Sequence, residues 1–174
     1  MNKLLMTAAA GLAAMVMAAP AASAQIYGGV GYTGFKIEQP TSDDAWVGTA
    51  LARAGFKFNP FLGVEGELAV GLVDGEVDIS PGVTADVGVD NEYGVFGTAW
   101  LPIPFLPEPF VRAGYANMTI DSDVPGGDFD GGGFAYGGGI QFAVLIARIR
   151  AEYTRYEIDD DSLDSFGVSA LLQF

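Results

Sequence analysis

Eight charged residues stand at positions where strand-like alternation would turn them away from an apolar face: Arg53, Lys57, Glu65, Glu67, Arg112, Arg148, Arg150 and Glu152. Ions enclosed by low-dielectric walls persist only when paired or wet. Five cations and three anions, with Gln141 and Thr49 among them, therefore read either as a polar plug or as a narrow ion path through the same groups. Little else in the chain could do chemistry. There is no His and no Cys, which removes imidazole acid–base catalysis, thiol nucleophiles and the commonest transition-metal ligands. Carboxylate pairs could support hydrolysis, but those in the polar stretches read more simply as solvated charges, so an enzyme is not expected. Asp121, Asp123, Asp128 and Asp130 are spaced among glycines, and Asp159-Asp160-Asp161 form a run. Neither matches the twelve-residue calcium loop with its terminal Glu. Solvated, surface-repelling loops are the default reading and a weak divalent-ion site the alternative. No cofactor motif is present, and no basic patch exists to hold a phosphate backbone, which excludes nucleic acid.

The elements that must position these charges are strands. Residues 163–174 show it most plainly: Phe166, Val168, Ala170, Leu172 and Phe174 share one face, against Ser165, Gly167, Ser169 and Gln173, with Leu171 the exception. This period-2 alternation marks a strand. Seven more segments precede it, over 25–37, 45–58, 62–72, 92–101, 110–120, 134–144 and 147–158, and no amphipathic helix interrupts them. Their apolar faces carry, among others, Val30 and Tyr32, Trp46 and Phe58, Leu68 and Val70, Tyr93 and Val95, Val111 and Tyr115, Ile140 and Phe142, and Ile149 and Tyr153.

Parity sets the turns, because facing residues of a hairpin share a side of the sheet. Even residues are apolar on both 45–58 and 62–72, so their turn holds an odd number of residues, Asn59-Pro60-Phe61, and Arg53 falls opposite Glu67. The apolar parity switches between Val144 and Ala147, which predicts a two-residue turn at Leu145-Ile146. Residues 102–109 hold four prolines, which cannot donate to a ladder and are placed outside it. The opposite ends of the strands are joined by 38–44, 74–91, 121–132 and 157–164, which hold most of the chain's 22 acidic residues.

Composition points the same way. Half of the residues are hydrophobic and the net charge is −14. Residues 1–24 read as a secretory signal peptide, with Lys3, an apolar run from Leu4 to Met17, and Ala22-Ser23-Ala24 as a cleavage site before Gln25. Beyond it no run reaches the ~18 apolar residues of a membrane helix. An exported, apolar chain without disulfides or a spanning helix suggests an all-β, eight-stranded antiparallel up-and-down transmembrane barrel over residues 25–174, closed upon itself so that no backbone group is left unpaired in lipid. With an even strand count both termini share one side of the membrane. Trp46, Phe134, Tyr153 and Phe166 then form an outer aromatic girdle, and Phe58, Phe110, Phe142 and Phe174 an inner one.

The alternating last strand closed by Phe174 resembles the ending of bacterial outer-membrane β-barrels, and the whole of 25–174 is similar to the small eight-stranded family that includes the OmpA transmembrane domain and opacity-type surface proteins. The resemblance implies localisation in the bacterial outer membrane among its lipids, a role for Phe174 in recognition by the barrel-assembly machinery, and an interior salt-bridge network in a closed lumen. The expected protein is a non-enzymatic structural or surface-interaction barrel, a monomer with no named extracellular ligand; a very small cation-preferring pore is the alternative. The chain runs out at the barrel, so tethering to the cell wall through a peptidoglycan-binding domain is not expected. The competing class is a soluble periplasmic lipid-binding barrel, which would turn the apolar face inward around its ligand.

Overall fold

The computed structural model describes residues 25–37, 45–80, 83–104, 106–122, 129–158 and 161–174; the expected signal peptide and its cleavage site lie outside them. Nine strands follow in order: β1 (Gln25–Ile37), β2 (Ala45–Lys57), β3 (Leu62–Val73), β4 (Gly75–Ser80), β5 (Val83–Trp100), β6 (Glu108–Ser122), β7 (Phe129–Val144), β8 (Ala147–Ile158) and β9 (Asp161–Gln173). Consecutive strands pair antiparallel except β3 with β4, which both pair with β5, and β1 pairs with β9 (Val30 opposite Ala170), so the sheet closes on itself. β3 and β4 run one after the other along β5 and are two halves of one barrel strand. The architecture is therefore a closed eight-stranded antiparallel barrel, the solution that leaves no free sheet edge.

Alternation decides the two faces. Val30, Leu68, Val70, Val111, Phe134, Ile140, Phe166 and Val168 are exposed on the outside, while Phe35, Phe96, Met118 and Leu171 are almost fully buried within. No helix of the described residues is long and apolar enough to cross a membrane; the apolar outer wall is that of a barrel that crosses with strands.

The parity argument places both short turns. Lys57 faces Gly63 across β2 and β3, and the intervening turn is held by Asn59, whose Oδ1 accepts from the amides of Phe61 at 2.8 Å and Leu62 at 2.9 Å. Val144 faces Ala147, and Leu145 takes φ 56°, the left-handed conformation that two-residue hairpins demand of their first residue.

Four expectations are corrected. Residues 75–80 and 83–91, read as part of a polar loop, are strand: Val77, Ile79, Val83, Ala85, Val87 and Val89 alternate, and the β4–β5 hairpin prolongs the wall beyond the other predicted boundaries. The strands likewise run into the expected loops at 121–122, 129–132, 157–158 and 161–164. Pro109, placed outside the ladder, is the second residue of β6; its carbonyl accepts from Leu101 at 2.9 Å, and a proline near a strand end forfeits little. Phe110 belongs to no lipid-facing girdle: with Val111 outward its neighbour must face in, and it is buried with Tyr27, Trp100 and Leu171. That cluster also explains Leu171, the one apolar residue on the mild face of the last strand.

Register slips on both sides of β5 shape the far end of the barrel. The β3–β5 register ends at Val70 opposite Asn91, and β4 resumes with Gly75 opposite Val87, one residue out of step. On the other side of β5 the register shifts between Val89 and Asn91. The extra residue, Asp90, bulges outward and is exposed. It lets odd-numbered Val89 face inward on a strand whose inward residues are otherwise even.

Candidate functional site

Barrel closure brings the eight predicted interior charges together. Arg53 lies directly opposite Glu67, with its Nη2 2.7 Å and its Nε 3.1 Å from Glu67 Oε2. From the opposite wall, 99 residues away in sequence, Glu152 accepts from Arg53 Nη1 at 3.0 Å and also from Nη2. Arg112 completes the ring, donating from Nη2 to Glu67 Oε1 and approaching Glu152 Oε2 at 3.4 Å. Glu67 and Glu152 are thus each held by both Arg53 and Arg112. Beside this quartet Arg150 donates to Glu65 Oε1 at 2.7 Å and to Gln141 Oε1 at 3.1 and 3.3 Å. Tyr27 Oη donates to the same Glu65 oxygen at 2.5 Å. Its ring lies over Gly55, where even a Cβ would collide with it, so glycine at that position sets the depth of the tyrosine.

Bidentate guanidinium–carboxylate contacts are the strongest ionic hydrogen bonds a protein makes, and here they are sealed from solvent: Arg53, Arg112 and Arg150 are at most 4 % exposed. The guanidinium planes also stack on rings, Arg112 over Phe96 at 3.5 Å and Arg150 over Phe110 at 4.5 Å, a packing that Lys could not reproduce.

Two interior carboxylates escaped the sequence reading. Glu108, assigned to the proline turn, lies in β6 opposite Gln141. There it accepts from Lys57 Nζ at 3.1 Å and from Arg148 Nη1 at 2.8 Å, so both cations nearest the turns are partnered by a residue the turn had hidden. Arg148 also donates to Gln173 at 2.8 Å, and Lys57 sits 4.2 Å from the Trp100 ring centroid. Glu92, read as the first residue of the fourth strand but not among the interior charges, is 2 % exposed inside the barrel and accepts from Tyr156 Oη at 3.2 Å. The signal that would have found both is phase: each has the parity of the inward residues on its own strand. With these two, the described residues place five cations and five carboxylates inside the barrel (Arg53, Lys57, Arg112, Arg148 and Arg150 against Glu65, Glu67, Glu92, Glu108 and Glu152). The gap at the turn end, between Tyr27, Lys57, Arg148 and Gln173, is about 10 Å³, room for one water at most.

Beyond the charges the interior becomes apolar. Phe35, Val47, Val89, Phe96, Ala116, Met118, Ala135, Tyr156 and Ile158 form one buried cluster, with Ile120 and Leu163 packed against it. The sequence reading placed nothing there.

Most of the predicted divalent-ion residues lie outside the described residues. Asp130 is exposed on β7; Asp121 and Asp161 lie in β6 and β9, their side chains outside the described residues, as are Asp123, Asp128, Asp159 and Asp160 altogether. Among the described residues no group of three or more acidic side chains could hold a metal ion. Phe174 ends the chain 80 % exposed, its amide donating to the Ile26 carbonyl at 2.8 Å.

A closed antiparallel barrel, apolar outside and ionic within, defines a transmembrane β-barrel. Comparison with known proteins agrees: the family model described as outer membrane protein beta-barrel domain matches residues 6–174, and the chain belongs to that family. Among solved structures, the fold is similar to Ail, the attachment invasion locus protein of Yersinia pestis (TM-score 0.59, 17% identity, covering 87% of this chain and 99% of that one). It is also similar to Neisserial surface protein A (0.56, 13%, 85% and 95%) and to OprG from Pseudomonas aeruginosa (0.56, 12%, 88% and 96%). A comparison with curated proteins found no match.

Proposed function

We propose that this protein is a non-conducting, non-enzymatic barrel of the bacterial outer membrane, serving a structural and surface-presenting role. The observation that carries the reading is the layering of the interior. Charges interlocked at 2.7–3.5 Å lie in the half nearest the short turns, and the apolar cluster around Phe96 and Met118, with Glu92 against its Tyr156, lies in the half beyond. An ion entering from either end would have to break buried ion pairs and also shed its hydration against apolar side chains, each a cost of several kcal/mol. The alternative, a very small cation-preferring pore, draws on the same acidic residues but requires both layers to move. Conductance of the refolded protein in planar bilayers tests the choice. Silence is expected; discrete cation-selective openings would establish the pore.

Export after cleavage between Ala24 and Gln25, and recognition of the last strand by the barrel-assembly machinery through Phe174, belong to the same reading. An exposed aromatic at the end of an alternating strand supports the second. Ail has been solved in complex with the heparin analogue sucrose octasulfate. The present chain, at net charge −14, would repel such a polyanion, and we do not extend that binding to it.

A further inference from the structure

Five of the chain's eight Lys and Arg residues lie inside the barrel, and Lys3 is outside the described residues. The remaining two, Lys36 and Arg155, stand on the outward face, in one row across five strands. Trp46 on β2 faces Lys36 on β1, Lys36 faces Asp164 on β9, Asp164 faces Arg155 on β8, and Arg155 faces Tyr136 on β7. The row therefore reads aromatic, cation, anion, cation, aromatic. Trp46 is 48% exposed and Tyr136 39%. Arg155 is fixed to the sheet by Asp164 at 3.1 Å and Ser162 at 2.7 Å, and Tyr153 Oη donates to Asp164 at 2.8 Å.

Height gives the row its meaning. From the row to the chain end, the outward residues of β9 are Phe166, Val168, Ala170, Leu172 and Phe174; those of β8 are Tyr153, Ala151, Ile149 and Ala147; those of β1 are Gly34, Tyr32, Val30, Gly28 and Ile26. None is charged. Ten residues separate Asp164 from Phe174, which at about 3.3 Å per residue and a tilt of about 40° is a rise of about 25 Å, the height of a barrel's apolar band. The row is thus the first charge met on leaving the hydrocarbon at the end away from the short turns. Its surroundings are acidic: Asp86, Asp90, Asp130 and Glu157 are exposed at that end, with Glu157 accepting from Tyr136 Oη at 3.1 Å. Cations are confined to this one row, on the wall rather than the rim. Two strand spacings put the Lys36 and Arg155 backbones about 10 Å apart.

We propose that this row docks the phosphorylated headgroup of an outer-leaflet glycolipid. Lys36 and Arg155 take its phosphate oxygens on either side of Asp164, and Trp46 and Tyr136 bracket the junction of headgroup and acyl chains, the depth such rings prefer. The inference rests on the reading of the outer wall as lipid-facing and is independent of whether the lumen conducts.

The test uses refolded full-length barrel in phosphatidylcholine vesicles carrying, in both leaflets, either bisphosphorylated lipid A or the same glycolipid stripped of phosphate. Symmetric vesicles make the result independent of insertion direction. Emission of Trp46 reports binding at the row; the second of the two tryptophans, Trp100, is buried in the lumen. Wild type is expected to bind the phosphorylated form about tenfold more tightly, on the scale of one basic residue's contribution at a lipid surface taken twice and reduced by Asp164. The K36Q/R155Q variant should lose that preference, D164N should retain or increase it, and EDTA should leave it unchanged. Equal binding of both glycolipids by wild type, which requires no variant, overturns the proposal. So does a preference that persists in folded K36Q/R155Q or vanishes in EDTA, the latter showing metal-bridged carboxylates instead.

Discussion

Arg53 and Glu67 face each other across β2 and β3 and meet at 2.7 Å, but neither belongs to the other alone: Arg53 also holds Glu152, and Glu67 also holds Arg112. The unit is a four-membered ring of alternating charge. Glu67→Gln should leave two buried guanidinium groups short of charge and lower barrel stability by about 1–3 kcal/mol. Adding Arg53→Met should recover part of that loss but not all of it, because Arg112 still lacks its carboxylate. Unfolding titrations arranged as a double-mutant cycle check this; simple additivity would mean that the two residues do not meet.

Phe96 stands at the boundary of the two interior layers, its ring under Arg112 and its edges in the apolar cluster. Phe96→Ala removes both contacts and should cost about 3–5 kcal/mol, as large cavities do. Urea midpoints of the variant and of wild type in the same lipid measure it. A loss below about 1 kcal/mol would show that the cluster is not closely packed.

Glu108 is the sole carboxylate within reach of Lys57 and Arg148 among the described contacts. Arg148 is partly exposed and can turn to solvent, whereas Lys57 is buried. Glu108→Gln is therefore expected to destabilise moderately, by about 1–2 kcal/mol, and Lys57→Met should relieve it where Arg148→Met does not. Equal relief by the two would place the two cations on the same footing.

Deleting Phe174 removes an 80 % exposed aromatic that makes its backbone contact with Ile26. Export should continue while folded protein in the outer membrane falls, as read by heat-dependent gel mobility. Unchanged levels of folded protein would count against an assembly role for this residue.

Millimolar Ca²⁺ or Mg²⁺ should raise the melting temperature modestly by binding the native acidic loops, and replacing Asp159, Asp160 and Asp161 by Asn should diminish the rise. If sodium at equal ionic strength acts as calcium does, screening alone is at work.

The sequence by itself determined the walls. A side-chain period of two, read over eight segments, fixes which residues meet lipid. The requirement that facing residues share a side then fixes whether a turn holds an odd or even number of residues, which is why Asn59–Phe61 and Leu145–Ile146 could be placed without coordinates. It brought Arg53 to Glu67 for the same reason, since neighbouring strands are a local matter of register. What lies across the barrel is not local. Only closure could show that Glu152 of β8 reaches Arg53 of β2, or that Glu108 answers both Lys57 and Arg148. Proline had marked Glu108 as turn, and Glu92, at the very start of its strand beside an acidic stretch, was left out of the interior charges, although the phase of each strand points both inward. The bulge at Asp90 breaks the parity on which the reading depended, and sends Val89 into an apolar layer that no period could announce. Alternation says which side a residue takes; tertiary structure alone decides which residues from distant strands share the small volume inside.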